Sequence, residues 1–154
     1  MRKTVLMIML LLSCCIKAQI PAIQEIGKEA GKVKGVRHAS VNNIMLGMAM
    51  PFVDKEKRAV FKMLDHIELI ECKNSNYAQV LSKKLLDVVG DEGAMHLFSH
   101  DDGKALNNLY AVQEGDIVKE LIILVYSHDK NFFVVAMSGK IPFDRLDEIS
   151  KIKP

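Results

Sequence analysis

Two copies of one tripeptide, Ser99-His100-Asp101 and Ser127-His128-Asp129, hold the residues best suited to chemistry in this chain. Each follows an aromatic residue, Phe98 or Tyr126, and each stands where an apolar run enters a polar turn. In an antiparallel meander the two strand ends share one edge of the sheet with a single strand between them, about 10 Å apart at ordinary strand spacing. His100 and His128, with Asp102 beside them, are then a candidate site for a divalent metal such as zinc, since imidazole and carboxylate are its usual ligands. Strict alternation would also put His96 on the face of Phe98 and His100. Ser, His and Asp are equally good turn residues, so turn chemistry alone explains the repeat.

A Ser-His-Asp hydrolase does not follow from the tripeptides. Neighbours on a strand point to opposite faces, so consecutive residues cannot relay a proton among themselves. No Gly-x-Ser-x-Gly elbow is present to expose a strained serine. Gly31-Lys32 is not a phosphate loop: Gly27 is one residue too close and Val33 stands where Ser or Thr is required. The pair Met45 and Met48, three residues apart, could ligate a soft metal; core packing on one helix face explains the pair without one. Asp101-Asp102 and Asp147-Glu148 show no apolar surroundings that would tune a carboxyl for acid–base work.

The first residues concern location. Arg2 and Lys3 precede an uncharged run from Thr4 to Ser13, followed by Cys14, Cys15 and the small-residue exit Ala18-Gln19. That is the pattern of a secretory signal peptide, too short for a spanning helix. Two cuts are open. Leu11-Leu12-Ser13 before Cys14 resembles a bacterial lipobox and would make Cys14 the site of lipid attachment; a cut after Ala18 gives a soluble protein. An acyl anchor contributes about 0.8 kcal/mol per buried methylene, so several chains on one cysteine hold a protein to a membrane. The chain carries 21 basic and 19 acidic residues. Removing Arg2 and Lys3 with the first cut leaves 19 against 19, and losing Lys17 as well leaves 18 against 19. A near-neutral body argues against a nucleic-acid protein. Cys72 alone lies beyond the leader, so a disulfide framework is excluded.

The apolar periodicity then gives the elements that must position these groups. Residues 19–38 carry glycines at 27, 31 and 35 and read as a flexible arm, because glycine weakens a helix by about 1 kcal/mol per residue. Ser40 reads as the N-cap of a helix to Pro51, Asp54 as the cap of a second, and Asn74 to Gly90 as a third. Strands are expected over 66–72, 95–100, 106–113, 120–126 and 132–137, with Gly139 as a breaker and a closing helix after Pro142. The expected organisation is residues 1–18 as the signal peptide, 19–38 as the arm, and 39–154 as one α+β domain. Its fold class is a two-layer sandwich: a mostly antiparallel four- to five-stranded sheet with helices packed on one face.

The stretch Lys119-Glu120-Leu121-Ile122-Ile123-Leu124-Val125, the turn after it, and Phe132 to Ile141 resemble the C-terminal signature of the domain-of-unknown-function family number 4252. The Met-rich helix from Val41 to Met50 resembles that family's N-terminal helix. The resemblance implies a small secreted or lipoprotein-like protein of the Bacteroidetes type and supplies no catalytic residue. The function expected from the whole reading is a non-enzymatic cell-envelope protein, periplasmic or anchored at the outer membrane. It would bind a protein or envelope component, with the membrane reached through Cys14 if that residue is acylated. The alternatives are a metal-binding protein or enzyme using His100 and His128, and a carrier of a small apolar ligand held by Met45, Met48, Phe133 and Val135.

Overall fold

A computed structural model describes residues 19–91 and 93–147; the expected signal peptide, Cys14 and the end of the expected closing helix lie outside these. Helix α1 spans Gln19–Ala30 and buries Ile20, Ile23 and Ala30. Strand β1 (Val36–Asn42) follows, then helix α2 (Asn43–Ala49), a 3-10 turn (Met50–Phe52) and helix α3 (Lys55–Phe61). Strand β2 (Leu64–Cys72) leads into the long helix α4 (Ser75–Asp91). Strands β3 (Met95–Asp101), β4 (Ala105–Glu114), β5 (Ile117–Ser127) and β6 (Phe132–Pro142) complete the sheet, and a 3-10 turn (Phe143–Arg145) follows.

Six strands pair in the order β1-β2-β6-β5-β4-β3, and every neighbouring pair is antiparallel. Strands β3 to β6 form the expected meander. The α4 connection carries the chain from β2 to the far edge, so β6 closes beside β2.

Two expectations are corrected. The sheet has six strands rather than four or five, and residues 19–38 form a docked helix and the start of an edge strand rather than an arm. Both errors have one cause. His38 and Ser40 occupy inward positions of β1 and hide its alternation, while the glycines of α1 serve close packing instead of slackness. A Cβ on Gly27 would come within 2.5 Å of the His38 ring, so glycine is what lets α1 lie down on β1. Ser40 is accordingly a strand residue, and the N-cap of α2 is Asn42, whose side chain accepts from the Met45 backbone N–H at 3.0 Å. Gly139 does not break β6 either. It stands where the sheet meets the chain leaving α3, and a Cβ there would lie 2.0 Å from the Met63 carbonyl oxygen.

The core lies on both sides of the sheet. Even-numbered sheet residues such as Ile70, Ile122, Leu124, Val134 and Ala136 pack with Leu81 and Leu85 of α4 and Ile23 of α1. On the other face Leu121 and Met137 pack with Leu46 of α2 and Val60 of α3. The short helices therefore occupy the second face, which the one-sided expectation did not include. They reach only part of it.

Candidate functional site

The most concentrated polar chemistry lies between β1, β2 and α1. Register sets Ser40 opposite Glu68, His38 opposite Ile70 and Asn42 opposite His66, so the inward side chains of the two strands form one group under α1. Glu68 is 0% exposed. Its Oε2 hydrogen-bonds the His38 Nε2 at 2.6 Å, and its Oε1 accepts from the Ser40 hydroxyl at 2.6 Å and hydrogen-bonds the His66 Nε2. Gln24 of α1 donates from Nε2 to Ser40 Oγ at 3.0 Å.

Burial alone would push the Glu68 carboxyl up. Hydrogen bonds from Ser40, His66 and His38 outweigh it and hold the group below the ordinary value of 4.5. A carboxylate accepts only, so it accepts hydrogen bonds from the Ser40 O–H and from the Nε2–H of each imidazole. Ser40 therefore donates to the carboxylate and not to an imidazole, and the cluster does not match a nucleophile poised for attack. What the arrangement does is fasten the edge strand β1 and helix α1 to β2 through one buried anion.

Sequence reasoning passed over this group. The signal was present: His38 and Ser40 on one strand, and His66 and Glu68 on the next, both stand at i and i+2 among apolar residues. It becomes legible only once residues 36–42 are recognised as a strand.

The residues singled out for metal chemistry lie at the opposite edge. Asp101 accepts from the Gly103 N–H at 2.9 Å, and Asp102 accepts from the Lys104 and Ala105 N–H groups at 2.8 Å each. These backbone donors hold both carboxyls below their ordinary value, with His128 contributing at Asp101 and His100 at Asp102. His128 Nε2 stands 3.3 Å from Asp101 Oδ1, so the two tripeptides do meet, through Asp101 rather than Asp102. His100 follows the opposite parity on β3, pairing with Asn107 while Asp101 pairs with Leu106. All four side chains are exposed. Among the described residues no group of three or more His, Cys, Asp or Glu is placed to hold a metal ion. A bulge between His96 and Phe98 also turns His96 onto the face of Ser99, which it contacts at 3.0 Å, and away from Phe98.

The expected apolar pocket is not assembled. Met45 and Met48 are exposed on α2, and Leu46 is the residue that turns inward. The second sheet face nevertheless presents one continuous apolar row. Ala39, Leu69, Val135, Ile123, Leu109 and Phe98 are cross-strand partners in succession across all six strands. Ala39 and Phe98 at its ends are exposed, and the four between them are half-buried. Alongside it, a cleft of about 790 Å³ wraps β1 between Lys28 of α1, Lys32 in the turn after it, and Phe133. Among the described residues no helix is long and apolar enough to cross a membrane.

An α+β body with an open, six-stranded antiparallel sheet is the class these observations define. The chain belongs to the family described as Domain of unknown function (DUF4252), which it matches over residues 31–149. No curated protein and no solved structure matches it.

Proposed function

We propose that this is a non-enzymatic protein of the cell envelope that works by binding another envelope component across its second sheet face. The observation that carries the reading is the apolar row from Ala39 to Phe98, exposed at both ends and only half-buried between them. An apolar row that crosses every strand suits a broad contact better than a small-molecule pocket. The buried Glu68 cluster supports the same reading, since its polar atoms are spent on one another. The leading residues support the location: a basic head, an uncharged run and Cys14 suit export with or without acylation.

The test is site-directed photocrosslinking in cells. A crosslinking residue at Leu69 or Ile123 is expected to give a discrete adduct, and the same residue at Gln79 on α4 none. Identical patterns from all three positions would remove the sheet face as the working surface. Mass spectrometry of the mature N-terminus tests the location: an acylated Cys14 or a start at Gln19 is expected, and an intact Met1 would overturn it.

A further inference from the structure

Three large apolar side chains stand further into solvent than any others among the described residues: Ile44 at 69%, Met48 at 71% and Phe52 at 89%. They are spaced four residues apart, and α2 runs directly into the 3-10 turn that ends at Phe52, so they line one side of a single helical stretch. Met45 lies beside them, half exposed. The stretch is firmly held. Leu46 is buried in the core below it, Asn42 caps its start, and Arg58 donates to the carbonyls of Val53 at 2.8 Å and Pro51 at 3.3 Å at its tip. Its apolar ridge is therefore a fixed surface feature. Directly after the tip come Lys55, Lys57 and Lys62, which with Arg58 outnumber Asp54 and Glu56 in this segment. None of the ion pairs found among the described residues involves these lysines.

An apolar ridge with an adjoining cationic flank is the pattern of a segment lying at a lipid–water interface. We propose that the α2 ridge inserts Ile44, Met48 and Phe52 into the headgroup region of an anionic bilayer while the lysines of α3 and its exit meet the phosphates. This contact is made by the folded domain itself. It is independent both of any acyl chain on Cys14 and of the open sheet face.

The sequence has no tryptophan, so one introduced indole reports from one position. The full chain carrying Phe52→Trp is mixed with vesicles of phosphatidylglycerol and phosphatidylethanolamine bearing brominated acyl chains, beside a Leu86→Trp control on α4. The indole at position 52 is expected to shift to the blue and be quenched, and that at position 86 to do neither. Raising the salt, or adding Lys55→Glu, Lys57→Glu and Lys62→Glu, should weaken the vesicle affinity read at position 52 about tenfold or more. An indole at position 52 that stays in water while the protein is carried onto vesicles by its N-terminal segment would overturn the proposal. So would equal quenching on phosphatidylcholine vesicles, or quenching indifferent to salt. Protection of position 52 by an added protein and by no vesicle would replace the bilayer with a protein partner, and the proposal would fall.

Discussion

Glu68 shows what a single residue does here. Its carboxylate is closed off from the surface, and three hydrogen bonds reach it from β1 and from its own strand. Replacing it by glutamine keeps the shape but turns one acceptor atom into an NH2 facing a donor. Glu68→Gln should therefore lower the unfolding free energy by about 2–3 kcal/mol, measured by urea denaturation at neutral pH. The sign with pH follows from the depressed folded pKa. The stabilisation is fully present above 4.5, the ordinary value, and is lost as pH falls through the lower folded value. The gap between the two proteins is thus expected to narrow below pH about 4.5. A gap that does not narrow as the pH falls below that value would mean the group is not an anion in the folded state.

At the scale of elements, two glycines decide how pieces approach. Alanine is ordinarily favoured over glycine inside a helix by about 1 kcal/mol. Gly27→Ala should nevertheless destabilise, because the new methyl meets the ring of His38, which is itself pinned to Glu68. Gly139→Ala should cost more, about 3 kcal/mol, because the obstacle is the Met63 carbonyl oxygen, a backbone atom that cannot rotate aside. Thermal melts of both variants check the order, and a stabilised Gly27→Ala would show that α1 does not rest on β1 as described. The same two positions explain what sequence could and could not reveal. Strands β2 to β6 and helix α4 were legible because their apolar residues recur at the period of the element. The helix over 19–30 and the strand over 36–42 were not. Their glycines and inward polar residues make sense only against a partner in another element, His38 for Gly27 and Glu68 for His38 and Ser40. The length of β6 was missed for the same reason, since a breaker and a close-contact glycine look alike until Met63 is seen beside it. The meander was enough to expect the two Ser-His-Asp tripeptides at one end of the sheet, where His128 meets Asp101. The facing of His96 depended on a bulge that composition does not announce.

At the scale of the whole molecule, the sheet is asymmetric: α1 and α4 cover one face, while α2 and α3 cover only part of the other. Neighbouring residues on the central strand β5 measure that difference directly. Ile122 is fully buried beneath the long helices, and Ile123 lies half-buried in the apolar row of the other face. Truncating a fully enclosed isoleucine removes its transfer free energy and leaves a cavity, whereas an open face lets water or a shifted neighbour fill the space. Ile122→Ala should then cost about 3–4 kcal/mol and Ile123→Ala about 1 kcal/mol, read from denaturant midpoints at constant slope. Both variants keep the same backbone and the same strand, so the difference isolates what lies above each side chain. Equal losses would mean that something covers the second face in the folded monomer, and the row from Ala39 to Phe98 would then be core rather than a surface for a partner. A small loss at Ile123, together with a lost crosslink in cells, would assign that residue to binding instead of folding.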